Sequence, residues 1–202
     1  MTLRRATVIR KSRETEIRVR LNLDGKGTTS VRTGLPFLDH MLTLLGTHGL
    51  IDLSIRATGD LDVDSHHTNE DVGLVVGQAV GRALKGGRGI RRFGWAYVPM
   101  EEALARAVVD ISGRPKLILR DQRRPRTRLQ GSGTRYRWDD LEHWLESFAR
   151  SAKLTVHVDV FAGSDFHHTC EAVFKALARA LAQAVGRDPR VKGVPSSKGR
   201  IL

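Results

Sequence analysis

Two phrases, "HHTNEDVGLVVGQAVGRAL" from His66 and "HHTCEAVFKALARALAQAV" from His167, place the same pair of histidines ahead of a glutamate twice in a chain of 202 residues. Neutral imidazole and carboxylate are good ligands for borderline and fairly hard divalent metals. Adjacent residues on a helix point about 100° apart and do not chelate one ion together, whereas residues four apart share a face. His66 with Glu70 and His167 with Glu171 are therefore the natural same-metal pairs, and His67 and His168 must face elsewhere. Two ions, each drawing on both copies, account for the adjacency and for the duplication. Upstream, "LDHML" from Leu38 matches "LEHWL" from Leu141, which adds His40 and His143. Six of the 8 histidines thus occupy repeated positions. An isolated histidine is usually structural or exposed. Repetition is what points to ligation.

The elements that must position these residues are themselves repeated. At an offset of 101 the two phrases share seven identities in nineteen positions, among them Thr68/Thr169, Val72/Val173, Ala79/Ala180 and Ala83/Ala184. Roughly one identity is expected by chance at average residue usage. "LSIRA" from Leu53 aligns with "LTVHV" from Leu154 without a gap, and both alternate as half-buried strands do. His157 falls opposite Arg56 on the polar face of that strand. "RETEIRVRLNLDG" and "PMEEALARAVVDISG" match more weakly as opening strands. After each histidine pair the apolar residues recur at helical spacing. Gly73, Gly77 and Gly81 form a second stripe, matched by Phe174, Ala178 and Ala182. Each glycine costs about 1 kcal/mol relative to alanine in a helix, which close helix packing can offset. The expectation is that the two paired-histidine helices pack on each other. The predicted organisation is α+β, an internally duplicated unit with halves at residues 1–92 and 93–202 acting as one functional domain.

Composition bounds the partners. The net charge of +12 and a sequence pI near 10.8 predict attraction to anions, whether nucleic acid, an anionic surface or a phosphorylated metabolite. The densest basic stretch, "RDQRRPRTRLQGSGTRYR" from Arg120 to Arg137, reads as a solvated loop. No apolar run reaches the roughly 18 residues of a membrane span, and the opening segment lacks a secretory pattern, so a cytoplasmic protein without membrane contact is expected. The lone Cys170 permits no internal disulfide and aligns with Asn69, so the repeat needs no thiol.

Together, "LPFLDHML", "GDLDVDSHHTNEDVG", "VPMEEALARAVVDISGRP", "HHTCEAVFKALARAL" and "VPSSKG" resemble imidazoleglycerol-phosphate dehydratase, from about Arg10 to Gly199. The resemblance implies a ribosomal protein S5 domain 2-like fold in two sheet-plus-helix halves and two Mn²⁺ ions per active site. One ion would be held by His40, His67, His167 and Glu171, the other by His66, Glu70, His143 and His168. It implies trimers that build a 24-subunit shell with active sites at subunit contacts, and no nucleic-acid partner. The implied reaction converts D-erythro-imidazole-glycerol phosphate to imidazole-acetol phosphate and water, through a metal-stabilised imidazolate and a diazafulvene-like intermediate, in histidine biosynthesis. Glu14 is the implied acid/base, His48 a substrate contact, and Arg92, Arg114, Ser197 and Lys198 the phosphate-binding positions.

The chain departs from the family pattern in places. Thr43 and Leu44 stand where Asp and Gln are common, and Asp165 and Phe166 stand where Asn and Ala often precede the histidines, which is expected to alter the rim of the site. Two other classes fit parts of the sequence. A two-metal phosphohydrolase also pairs metals with a phosphate clamp, but leans on aspartates. A basic nucleic-acid-binding protein would use the arginine stretch, and leaves the duplicated ligands unexplained.

Overall fold

In "TEIRVRLN" every second residue is apolar or small, and the strand it forms, β2 (Thr15–Asn22), buries Thr15, Ile17, Val19 and Leu21 while turning Glu16, Arg18 and Arg20 to solvent. The same period-two rule builds the rest of the sheets. The computed structural model describes residues 3–123 and 135–201. Within them the first half runs β1 (Arg5–Lys11), β2, β3 (Thr29–Arg32), α1 (Pro36–Gly49), β4 (Asp52–Gly59) and α2 (His66–Leu84). The second repeats that order as β5 (Phe93–Met100), β6 (Ala103–Asp110), β7 (Lys116–Asp121), α3 (Trp138–Ala152), β8 (Thr155–Ala162) and α4 (Phe166–Val185).

The described strands form two four-stranded sheets of identical topology, β1-β2-β4-β3 and β5-β6-β8-β7. In each, three strands run antiparallel and the last pair is parallel, joined through α1 or α3. The sheets bury their inner faces on the helices: α2 lies on β1 and β2, α4 on β5 and β6. One hydrophobic core runs through both halves. Its densest part stacks Trp144 on Phe148 with ring centroids 5.2 Å apart and sets Phe174 against Trp144 at 4.9 Å. Truncating any of these fully buried rings to alanine costs about 3–5 kcal/mol.

The helix pairing differs from the sequence expectation. The paired-histidine helices do not pack chiefly on each other; α2 packs on α3, and α4 on α1, so each crosses to the other half. The glycine stripe serves the α2–α3 contact. A Cβ at Gly73 would lie 2.8 Å from the Trp144 carbonyl oxygen, and one at Gly77 2.5 Å from that of Phe148. At Gly81 the nearest atom would be 3.8 Å away, an ordinary contact, so only two of the three glycines are needed for the approach. Small residues signal a close neighbour without naming which one.

The arginine-rich stretch is also only partly as expected. Arg120 and Asp121 end β7, and Arg123 is buried, its guanidinium held by Asp121 and the Gly163 carbonyl and lying over Trp138. The remainder of that predicted loop, residues 124–134, lies outside the described residues. No helix among the described residues is long and apolar enough to cross a membrane. Cys170 is fully buried, and burial pushes its thiol up.

Candidate metal centre

The histidine helices begin where a strand ends in glycine. Gly59 closes β4 and Gly163 follows β8; a Cβ at either would collide with the hydroxyl of Thr68 (2.0 Å) or Thr169 (2.4 Å), the threonine after each histidine pair. Both threonines are completely buried, so this contact fixes how deep the first turn sits and where the imidazoles emerge. Asp165, expected at the rim, instead caps α4 by accepting the His168 N–H at 3.0 Å. Phe166 is likewise no rim residue. It is buried and stacks on Phe37, whose ring stands edge-on with that of His167, centroids 5.2 Å apart.

Because α4 packs on α1, His40 meets the second histidine pair. His40 Nε2 lies 3.0 Å and His167 Nε2 3.1 Å from the same oxygen, Oε1 of Glu171. The other oxygen of Glu171 accepts from Lys175 Nζ at 2.5 Å. Burial opposes ionisation of Glu171, but the Lys175 ammonium and the His40 imidazole outweigh it and hold the carboxyl at about 2. Because α2 packs on α3, a second cluster forms in the matching place. His66 Nε2 is 3.5 Å from Glu70 Oε2, and the rings of His66 and His143 stand edge-on with centroids 4.9 Å apart. This cluster is looser and more open, with Arg150 on Glu70 at 3.2 Å. His143 Nδ1 is buried with no hydrogen-bond partner among the described residues. Each cluster takes residues from both halves.

His67 and His168 turn away from these clusters. His67 Nδ1 is 2.9 Å from Asp60 Oδ2, and its Nε2 lies 4.0 Å from Glu14 Oε1, at the β1–β2 hairpin. His168 Nδ1 is 2.8 Å from Glu102 Oε2, with Nε2 4.0 Å from Glu101 Oε2, at the β5–β6 hairpin. The hydrogen bond that Asp60 accepts raises the pKa of His67, and the one that Glu102 accepts raises that of His168. Glu102 is itself held at about 2, first by the backbone N–H of Asp165 and then by His168. Three histidines and glutamates that converge with their nitrogens and oxygens within reach of one point, as His40, His167 and Glu171 do, form a hard-to-borderline donor set that suits a divalent cation.

Comparison with known proteins agrees with this architecture. Residues 33–181 match the family model described as imidazoleglycerol-phosphate dehydratase. The chain belongs to the imidazoleglycerol-phosphate dehydratase family. It is 50% identical over 200 residues to an imidazoleglycerol-phosphate dehydratase of Mycobacterium sp. (strain KMS), covering 98% of this chain and 96% of that one. It is 48% identical to that of Mycolicibacterium smegmatis over 98% and 97%. Among solved structures it resembles the imidazoleglycerol-phosphate dehydratase of Staphylococcus aureus with a TM-score of 0.78 and 34% identity, over 91% of this chain and 99% of that one. The Pyrococcus furiosus enzyme in complex with (S)-C348 gives 0.80 and 31%, over 96% and 100%.

The phosphate-binding positions that the resemblance implies begin at Arg92, the last residue of the first half, and continue through the second. Arg92 adopts a left-handed backbone, φ 73°, and forks onto Asp110 at 2.7 and 3.2 Å, while its remaining amine donates to the Pro195 carbonyl at 2.9 Å. That bond ties the tail carrying Ser197 and Lys198 to the start of β5. The Ser196 hydroxyl accepts the Lys198 N–H at 3.2 Å, and both Ser197 and Lys198 are exposed. Arg114 is exposed just after β6, its backbone braced by Ser112 and Thr155. His48, in the last turn of α1, is held below its ordinary value by burial and by Lys175 and Arg179. Thr43 gives its hydroxyl to the Asp39 carbonyl of its own helix, and Leu44 packs on the core. His157 stands on the outer strand face beside Arg120, at 3.3 Å. Sequence reasoning missed Asp60, Glu102 and Lys175. Only Lys175 left a readable trace, four residues after Glu171 on one helix face.

Proposed function

We propose that this chain is a metal-dependent dehydratase that converts D-erythro-imidazole-glycerol phosphate to imidazole-acetol phosphate and water in histidine biosynthesis. One observation carries the reading: in a member of this family, the donor atoms of His40, His167 and Glu171 converge across the two halves, with His66 beside both Glu70 and His143 in the matching place. Mn²⁺ is the ion the family resemblance implies, and the donor types fit it. His40, His167 and Glu171 would hold one ion and His66, Glu70 and His143 the other. His67 and His168, turned outward, would complete sites shared with neighbouring chains in a trimer-based, 24-subunit shell. When bound, the two ions would polarise the substrate imidazole so that the ring accepts electrons where no carbonyl is available.

The chain's own residues divide the remaining work. Glu14 is exposed at the hairpin tip and its carboxylate takes no hydrogen bond among the described residues, which leaves it free to accept the carbon-bound proton. Lys175 and His48 form a cationic and a polar wall beside Glu171. Arg114, Ser197 and Lys198 supply exposed donors for the phosphate, and Arg92 holds their segment in place. The test is dehydration of imidazole-glycerol phosphate by chelator-stripped protein titrated with Mn²⁺. Turnover that returns as metal is added supports the reading. Metal uptake without turnover on this substrate sinks the dehydratase assignment.

A further inference from the structure

Imidazole binds a cation through whichever nitrogen lacks a proton, and that choice is set by the hydrogen bond the other nitrogen makes. His40, His66 and His167 all direct Nε2 toward the carboxylates of their clusters. His67 and His168 lie outside those clusters, His168 grouped instead with Glu101 and Glu102, yet both present the same nitrogen outward, because in each a carboxylate takes Nδ1: Asp60 at 2.9 Å and Glu102 at 2.8 Å. A carboxylate accepts and does not donate, so it keeps the proton on Nδ1 and leaves the Nε2 lone pair free. The two carboxylates come from unrelated places, one from the loop after β4 and one from the β5–β6 hairpin. They converge on one arrangement.

We infer that Asp60 and Glu102 are positioning residues that fix His67 and His168 in the Nδ1–H tautomer and aim Nε2 at the metal. This rests on the metal-site assignment proposed above. The two differ in how firmly they are themselves held. Glu102 also accepts the backbone N–H groups of Ser164 and Asp165 at 3.0 and 2.9 Å, so it braces the entry to α4 as well. Asp60 has no second task of that kind: its Oδ1 is buried without a hydrogen-bond partner among the described residues, and its Oδ2 serves His67 alone. Asp60→Asn therefore isolates the positioning role from folding, while Glu102→Gln retains an acceptor oxygen for Ser164 and Asp165.

The experiment compares the full-length wild type, Asp60→Asn and Glu102→Gln. Each is stripped of metal and titrated with Mn²⁺ against a competing chelator, and the thermal midpoint of the metal-free protein is recorded alongside. Loss of such a partner typically weakens metal binding about 10- to 100-fold, and that is the expected fall for both variants. The metal-free midpoint of Asp60→Asn should stay at the wild-type value. Histidine ¹⁵N spectra of the metal-free protein give an independent readout: the His67 signal should show Nδ1–H in the wild type and move toward the Nε2–H form in Asp60→Asn. Wild-type affinity and an unmoved tautomer in Asp60→Asn would overturn the positioning role. Failure of the wild type itself to take up Mn²⁺ would overturn the metal-site assignment beneath it.

Discussion

The two halves support their outward histidines differently. In the second, the β5–β6 hairpin supplies two glutamates, Glu102 on His168 Nδ1 and Glu101 4.0 Å from Nε2, and the residue after β8 is Gly163, with φ 143° and no side chain to offer. In the first, the residue after Gly59 is Asp60, which takes the Nδ1 role, so the β1–β2 hairpin contributes Glu14 alone. The Nδ1 partner is a chemical requirement, and any nearby backbone can deliver it. What the duplication keeps is the direction of Nε2. What it gives up is which loop supplies it, while the carboxylate 4.0 Å from Nε2 is kept in both hairpins, Glu14 in the first and Glu101 in the second.

The largest effect should come from removing the first hairpin's glutamate. Glu14→Gln should lower the dehydration rate by about 10²–10⁴-fold while the bound metal, measured by elemental analysis, stays at the wild-type amount. Normal turnover in this variant would erase the functional difference between the hairpins. Next come the carboxylates of the two proposed metal sites: Glu171→Gln and Glu70→Gln should each release about half of the bound metal, since each opens one of two clusters. Loss of all metal from either variant would mean that the clusters fill together.

Swapping residues between the halves sharpens the comparison at the helices. Gly77→Ala writes the second half's Ala178 into α2, and should destabilise the chain by about 1–3 kcal/mol because the Phe148 carbonyl lies 2.5 Å from the new Cβ. Gly81→Ala writes in Ala182 at a position with space, and should stabilise by about 1 kcal/mol. Equal denaturation midpoints for the two variants would contradict the α2–α3 contact described here.

A pH effect of similar or smaller size belongs to Glu171 in the metal-free chain. Its carboxyl sits at about 2 in the folded state against an ordinary 4.5, so its stabilising contribution is complete above the ordinary value and is lost as pH falls through the folded one. Thermal melts should show the wild type losing its advantage over Glu171→Gln across that window. A constant difference down to about pH 2 would refute the Lys175 and His40 pairing as its cause. The smallest change is at the end of α3, where Lys153 adopts φ 57°. Lys153→Gly should raise the thermal midpoint slightly, as relief of left-handed strain is worth about 1 kcal/mol.

Much of this was legible in the residues. Alternation marked the strands, helical periodicity marked α2 and α4, and the spacing of four joined His66 to Glu70 and His167 to Glu171. Those signals are local, carried by residues that share one element. The partner of α2 was not legible, because Gly73 and Gly77 report a close approach and any helix backbone satisfies them. Asp60 and Glu102 were hidden for the same reason: a carboxylate in a loop has no periodicity, and its role appears only when folding brings it to an imidazole. Phe166 was misread as part of the rim because its place depends on Phe37, more than a hundred residues away.

Each cluster takes its histidines and glutamate from both sides of the duplication, His40 joining α4 and His143 joining α2. A peptide of half this length could not gather such a set by itself. Two identical copies could, by crossing helices as α1 with α4 and α2 with α3 cross here, and would then carry two equal sites. In a single chain the two halves are under no obligation to be equal. A substitution in one half does not appear in the other, and the Nδ1 partner can come from a loop aspartate in one place and a hairpin glutamate in the other.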